Sequence, residues 1–232
     1  IYDQSKVISY YDDVAATFTN FAMSGIDKVH FGLEAAVSIP IYHTLALNGA
    51  VSWGQYTYDS NPYYLQTQDN SGDIVSDGYV YWKDFRVEST PQTAVNVGLS
   101  WRSNNNIYLS ADFNYYNNMY LSMSPIYRTD AVITGGMAPG DIEHLRRQEK
   151  FDSAYTLNAS IGKNWYIHRK YTLGFSLDVK NILNNQDIKT GGYEQTRLSK
   201  NTETTVTTYQ AFDSKYFYMF GTTYYLNLYF RF

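Results

Sequence analysis

The sequence contains no cysteine and few charged side chains, and both absences narrow the class of protein. Without cysteine, neither a disulfide framework nor thiolate metal or redox chemistry is available. Charged residues make up 17% of the 232 residues, and the formal net charge is −4. Because nucleic-acid binding usually needs a basic face, we expect no nucleic-acid partner.

The chain also lacks an apolar run of about 20 residues, which excludes a transmembrane helix. It begins IYDQSK, without a methionine and without an apolar signal segment. These first residues look like the middle of a strand rather than a natural terminus. We therefore expect the chain to be a fragment of a longer protein.

Aromatic residues, in contrast, are abundant: they make up 18% of the chain, and 25 of them are tyrosines. Tyrosine joins an apolar ring to a polar tip, so it suits the boundary between lipid and water. Aromatic girdles at both interfaces are typical of membrane β-barrels. The aromatics near predicted strand ends are Trp53, Tyr56, Tyr58, Trp101, Tyr115, Tyr116, Tyr120, Trp165, Tyr166 and Tyr171.

The dominant pattern is a strict alternation of apolar and polar residues, which is typical of strands with one apolar face. Seven such segments are clear, and residues 1–11 are a candidate for the end of an eighth. In the last segment the apolar face comprises Tyr224, Leu226, Leu228, Phe230 and Phe232. The alternation predicts an all-β, antiparallel fold, although a soluble sheet could show the same pattern. In a membrane barrel this face would contact lipid, and Arg231, Tyr229 and Asn227 would face a polar lumen.

The lengths of the predicted connections support a membrane protein. They alternate strictly, with short links at 40–44, 102–106 and 168–170, and long ones at about 59–85, 122–151 and 188–214. Bacterial outer-membrane barrels have short periplasmic turns and long extracellular loops. This pattern predicts a transmembrane β-barrel in the outer membrane of a Gram-negative cell, with lipid as a partner.

Four segments resemble strands of TonB-dependent outer-membrane transporters. They are GIDKVHFGLEAAVSIPI (25–41), STPQTAVNVGLSWRS (89–103), LGFSLDVKNILNNQ (173–186) and TTYYLNLYFRF (222–232). The terminal phenylalanine also resembles the carboxyl-terminal signal by which outer-membrane barrels are recognised for assembly. The four motifs occur in the order expected for this family and cover much of the chain.

The resemblance implies that residues 1–232 are the C-terminal segment, about 7–8 strands, of a barrel of about 22 strands. The plug domain and the earlier strands would precede Ile1. Such a transporter imports a bulky nutrient, such as a glycan, a peptide or a metal chelate. The TonB complex acts through the plug, and a surface lipoprotein covers the loops in some relatives.

No catalytic constellation stands out, so we expect no enzymatic activity, and we expect no cofactor. The histidines have no metal-ligand spacing to one another or to acidic residues; they are His30, His43, His144 and His168. A hydrolase remains an alternative, and it would depend on His144. Loss of hydrolytic activity on mutation of that residue would support it.

Aromatic residues in one predicted extracellular loop are the best candidates for ligand binding. They are Tyr63, Tyr64, Tyr79, Tyr81 and Trp82. Exposed aromatic platforms suit sugar rings or peptide side chains. The alternative is that these rings pack the loop onto the barrel rim or onto a partner.

A self-contained outer-membrane barrel of about eight strands, acting as an adhesin or a structural anchor, is the main competing hypothesis. The pairing of the last strand separates the two. Pairing of 222–232 with residues 1–11 would close a small barrel. A last strand that pairs on one side only, with the segment at 170–187, favours the wide barrel.

Overall fold

The computed structural model describes residues 6–12, 17–88, 90–134, 142–143, 146–168, 170–201 and 208–232. In these ranges fifteen strands form four sheets, and their pairing is antiparallel throughout. Helical elements among the described residues are short; they include a 3-10 helix at Pro125–Arg128 and the α-helix α1 at Asp130–Ile133. No described helix has the length and apolar character needed to cross a membrane. The fold is all-β.

The strands, in chain order, are β1 (Lys6–Asp12), β2 (Thr17–Ser24), β3 (Lys28–Tyr42), β4 (Leu45–Tyr58), β5 (Tyr63–Gln68), β6 (Ile74–Tyr79), β7 (Thr93–Arg102), β8 (Ile107–Asn117), β9 (Ala154–Ile167), β10 (Tyr171–Lys180), β11 (Lys189–Tyr193), β12 (Leu198–Asn201), β13 (Thr208–Ala211), β14 (Lys215–Tyr218) and β15 (Thr223–Arg231). Seven of them form the main sheet, in the order β15-β10-β9-β8-β7-β4-β3. The loop sheet has the order β1-β2-β5-β6, and β11–β14 and β12–β13 form two small hairpins.

The main sheet consists of the seven segments that the alternation predicted. Strands of this sheet that follow one another along the chain also lie side by side. The short turns therefore all lie at one end of the sheet and the long connections at the other. At the short end, the Arg102 N–H donates to the Thr44 carbonyl at 2.7 Å. At the long end, the Arg86 N–H donates to the Gln148 side chain at 2.9 Å. The predicted sorting of connections by length is confirmed.

The strand register aligns the apolar residues of all seven strands on one face of the main sheet. Val95, for example, lies between Val51 of β4 and Tyr115 of β8. Ser100, on the opposite face, lies between Ala46 and Ser110. The predicted division into an apolar face and a polar face is therefore confirmed.

The largest buried cluster lies among the long connections, not on the main sheet's apolar face. The loop sheet covers it with the inward side chains of alternating positions, such as Phe21 and Met23 of β2. The cluster comprises Phe21, Met23, Ile26, Tyr58, Tyr64, Val80, Trp82, Met123, Ile126, Tyr127 and Val132. We call the loop sheet, this cluster and α1 with its preceding 3-10 turn the loop layer.

Two expectations need correction. Residues 6–12 are not an eighth strand of the main sheet, because β1 pairs with β2 in the loop sheet. Gly25, with φ +71°, turns the chain between β2 and β3, a conformation that glycine adopts without strain. The described residues also contain fifteen strands rather than seven or eight, because the long connections form strands of their own. That they form no closed barrel agrees with the expectation that this chain supplies only a segment of a barrel.

Candidate functional site

The apolar face of the main sheet is exposed along all seven strands. Leu33 is 68% exposed and Leu228 is 71% exposed, values that are unusual for leucine in a folded sheet. The large exposed side chains of this face are Val29, Phe31, Leu33, Val37, Ile39, Val51, Trp53, Val97, Leu99, Leu109, Phe113, Tyr155, Ile161, Trp165, Leu173, Tyr224, Leu226, Leu228, Phe230 and Phe232. None of them belongs to either buried cluster of the described residues.

An uncovered apolar face of this size is unstable in water. Burying one large apolar side chain is worth roughly 1.5–3 kcal/mol, so the whole face forfeits tens of kcal/mol when it is hydrated. Soluble monomers rarely expose apolar patches beyond a few hundred Å². The face therefore requires an apolar covering that the described residues do not supply.

Aromatic rings are concentrated at both ends of this face. Trp101 and Trp165 lie near the short turns, and Tyr115 and Tyr155 form a cross-strand pair near the long connections. Val95, the partner of Tyr115, lies six residues before Trp101 along β7, so the two groups of rings are roughly 20 Å apart along the strands. Aliphatic side chains predominate between the two groups. This is the arrangement expected of side chains at two lipid–water boundaries.

The polar face is held together by short side chains that hydrogen-bond across strands. Ser38 donates to Asn48 at 2.7 Å, and Asn48 donates to Ser100 at 3.2 Å. The Ser110 and Ser160 hydroxyls are 2.7 Å apart. Neutral hydrogen-bonding groups of this kind are suited to contact with water or with a polar polypeptide, and not to lipid.

Tyrosine rings on the polar face cover glycines of neighbouring strands. Tyr108 pairs with Gly162, where an added Cβ would lie 2.1 Å from the ring. Tyr229 pairs with Gly174, where the corresponding distance is 2.3 Å. An aromatic ring from a neighbouring strand that covers a strand glycine is a known means of stabilising sheets.

A buried arginine joins the three long connections. Arg128 is 0% exposed, and its guanidinium donates to both carboxylate oxygens of Glu194, at 2.5 and 2.8 Å. It also donates to the Ser124 carbonyl at 3.1 Å and lies 5.4 Å from the Phe85 ring. Phe85, Arg128 and Glu194 come from three different long connections, so this contact fixes their relative positions.

Two of the five predicted ligand-binding aromatics are not exposed. Tyr64 is 1% exposed and stacks on Phe21 at 4.7 Å, and Trp82 is 2% exposed. The expectation that these two rings belong to an exposed platform is wrong. Tyr64 points inward because it alternates with Tyr63 along strand β5, in a segment for which the sequence predicts a loop.

The other three rings, Tyr63, Tyr79 and Tyr81, are 40%, 53% and 38% exposed. Tyr63 and Tyr79 form a cross-strand pair with ring centroids 5.6 Å apart and planes at 74°. The Tyr63 hydroxyl donates to Asp77, and this hydrogen bond raises the pKa of Tyr63. A hydrogen bond to Asp130 likewise raises the pKa of Tyr81. Ligand binding by these three residues stays a prediction.

The described part of the chain contains no group of three or more histidine, aspartate or glutamate side chains that could hold a metal ion. His144, on which the hydrolase alternative depends, lies outside the described residues. Comparison with protein families, with curated proteins and with solved structures finds no match to this chain.

Proposed function

We propose that this chain is the C-terminal part of a TonB-dependent outer-membrane transporter and supplies barrel wall and extracellular loops. The observation that carries the proposal is the main sheet, whose apolar face is exposed across seven antiparallel strands. Lipid is the covering that fits this face best. The strands are 9 to 15 residues long, and about 9–11 tilted residues suffice to cross a bilayer.

The open edges of the main sheet favour a segment of a wide barrel over a small closed one. Within the described residues, β15 pairs with β10 and not with β1, and β3 pairs only with β4. An unpaired backbone group facing lipid costs several kcal/mol, so both edges need further strands. In the proposal, strands that precede residue 1 in the full protein pair with both edges. The small-barrel alternative is disfavoured because its eighth strand lies in the loop sheet.

The proposal assigns a role to each part of the chain. The apolar face contacts lipid, and the polar face lines a lumen that a plug fills. The loop layer faces the cell exterior and meets the imported nutrient, which is a glycan, a peptide or a metal chelate. The TonB complex acts through the plug, and a surface lipoprotein is a candidate partner above the loops. No enzymatic step is involved.

Epitope insertion in whole cells tests this orientation. One epitope is placed after Ser71, in the turn between β5 and β6, and a second after Asn105, in the short turn between β7 and β8. In intact cells that express the full-length protein, an antibody should detect the first epitope and not the second. Permeabilised cells, where both should be detected, provide the control. Recovery of the protein in the soluble fraction, or the reverse labelling pattern, would contradict the proposal.

A further inference from the structure

The outward face of the loop sheet carries two pairs of aromatic rings. Tyr11 and Phe18 pair across β1 and β2, with centroids 5.4 Å apart and planes at 74°. Tyr63 and Tyr79 pair across β5 and β6. The register places both pairs on the same face, opposite the buried Phe21.

Two kinds of side chain lie between the two aromatic pairs: Ser9 and Asn20 are next to the Tyr11–Phe18 pair, and Val7, Ala22 and Leu65 lie between them and the Tyr63–Tyr79 pair. Ser9 donates to Asn20 at 2.5 Å, and Asn20 donates to Asp69 at 3.0 Å. Phe18 lies six residues before Ser24, which is the partner of Tyr63. The two pairs are therefore roughly 20 Å apart along the strand direction. A ligand that contacts both must be extended and must alternate apolar faces with hydrogen-bonding groups.

Hydrogen bonds hold the rings of Tyr63 and Tyr81, and the backbone of Tyr79, before any ligand binds. Tyr63 is held through its hydroxyl by Asp77, and Asp130 accepts a hydrogen bond from the Tyr79 N–H at 2.7 Å. Asp130 also binds the Tyr81 hydroxyl. Rings that are held in place lose little conformational freedom on binding, which favours affinity.

The charges around this face exclude some ligands. Asp69, Asp77 and Asp130 oppose an anionic ligand, and the pKa of Tyr63 and of Tyr81 is raised beside them. A cationic ligand is disfavoured for a different reason. The aspartates attract a cation, but an exposed ion pair is worth only about 0.2–1 kcal/mol and an exposed cation–π contact only about 0.5–1 kcal/mol.

We infer that this face binds a neutral oligosaccharide several sugar units long. Sugar rings present apolar C–H faces that stack on aromatic rings, and their hydroxyls donate to carboxylate and amide oxygens. The aromatic pairs serve as two stacking positions, the Ser9–Asn20–Asp69 group binds hydroxyls beside the first of them, and Val7 and Leu65 offer apolar contact between the two. The inference does not rest on the proposed transport, because binding to a loop surface requires neither membrane insertion nor import.

Binding to the purified full-length protein tests the inference. The probes are neutral hexasaccharides of α-linked glucose, β-linked glucose and β-linked mannose, measured by calorimetry. At least one should bind, and Phe18→Ala and Tyr63→Ala should each weaken it by about 2- to 12-fold, as expected for one lost stacking contact. Tyr42→Ala is the control, since Tyr42 is 69% exposed at the opposite end of the main sheet. Circular dichroism verifies that each variant is folded, and Tyr79→Ala replaces Tyr63→Ala if the latter is not.

A charged probe separates the ligand classes. Oligolysine tests for a cationic peptide, whose binding should fall steeply with salt, whereas saccharide binding should be nearly independent of salt. Asp77→Asn should leave saccharide binding within about threefold, because the amide oxygen still accepts a hydrogen bond. The inference is overturned if no hexasaccharide binds, if Phe18→Ala and Tyr63→Ala bind as the native protein does, or if only oligolysine binds. Retained saccharide binding in a protein that fails the epitope test would overturn the proposed function alone.

Discussion

The main sheet and the loop layer are built from the same alternation of side chains and use it in opposite ways. In the loop layer the apolar positions point into a shared cluster, so that Phe21, Tyr64 and Trp82 are almost fully buried. In the main sheet the apolar positions point away from the chain, and Leu33 and Leu228 are largely exposed. The loop layer therefore has its own buried core, whereas the main sheet depends on an apolar surrounding.

The two regions also differ in the charge of their polar contacts. The loop layer buries a charged pair, Arg128 with Glu194. The polar face of the main sheet relies on neutral serine and asparagine contacts, such as Ser110 with Ser160. We expect the loop layer to respond to changes at its buried charges, and the main sheet to changes on its lipid-facing and glycine positions.

The largest effect is expected from Arg128→Ala. Removal of one partner leaves Glu194 without its guanidinium and should destabilise the loop layer by about 3–5 kcal/mol. Hydrogen exchange should accelerate in β5 and β6 and remain unchanged in β8 and β9. Arg147→Ala is the matched control, because its ion pair with Glu143 is exposed, and it should change stability by less than about 0.5 kcal/mol. Equal effects of the two substitutions would contradict the assignment of Arg128 as the contact that joins the loops.

A smaller effect, confined to the main sheet, is expected from Val97→Arg. A cation on the lipid-facing side near the membrane midplane costs about 2–4 kcal/mol. Asn96→Arg, one residue earlier and on the opposite face, should cost far less. Folding yields and urea titrations in lipid bilayers measure both variants. Equal yields would mean that the two faces experience the same surroundings, and the comparison between the regions would fail.

Glycines beneath tyrosine rings should be sensitive as well. Gly162→Ala would place a Cβ against the Tyr108 ring and should destabilise the main sheet by about 1–3 kcal/mol. Gly49→Ala is the control in the same sheet, since its Cβ would meet only Val37, at 3.5 Å. Urea unfolding in micelles compares the two. If Gly49→Ala were as unstable as Gly162→Ala, the loss of stability would come from the backbone and not from contact with the Tyr108 ring.

The smallest effect is expected at Tyr127 in alkaline solution. Burial raises the pKa of Tyr127 to about 12, from an ordinary value of 10.0. Its contribution to stability is therefore complete below pH 10 and is lost as the pH rises from about 10 to about 12. Tyr127→Phe removes the titrating group. The amount by which its free energy of unfolding falls below that of the native chain should therefore shrink above pH 10. A deficit that stays constant between pH 8 and pH 12 would contradict this account.

The main sheet could be predicted from the sequence because each of its strands carries its own signal. Alternation gives the strand and its two faces, and the lengths of the connections give the end at which each turn lies. The family resemblance also predicts that, among the described strands, β15 pairs with β10 alone. The number of strands in the long connections was not anticipated, because β5 and β6 are short and carry polar residues on both faces.

The loop layer could not be predicted because its contacts join distant parts of the chain. Arg128 and Glu194 are 66 residues apart, and neither lies in a recognisable motif. Tyr64 and Trp82 belong to an aromatic-rich segment that resembles an exposed loop. The pairing of β2 with β5 assigns Tyr64 an inward face, and Trp82 is buried against Tyr58, with ring centroids 4.8 Å apart. The Tyr11–Phe18 pair could not be predicted because residues 1–11 resemble the end of a further main-sheet strand, whereas β1 pairs with β2.

The central claim is that lipid covers one face of the main sheet and a polar lumen lies along the other. Single cysteine substitutions at each position from Ala94 to Trp101, in a region that has no native cysteine, allow spin labels to report their surroundings. In the full-length protein in bilayers, labels at the positions of Val95, Val97, Leu99 and Trp101 should be accessible to oxygen dissolved in lipid, and those at Ala94, Asn96, Gly98 and Ser100 should not. Accessibility that alternates with a period of two residues is the predicted result. Labels on the apolar face that are accessible only to a water-soluble relaxation agent would contradict the account.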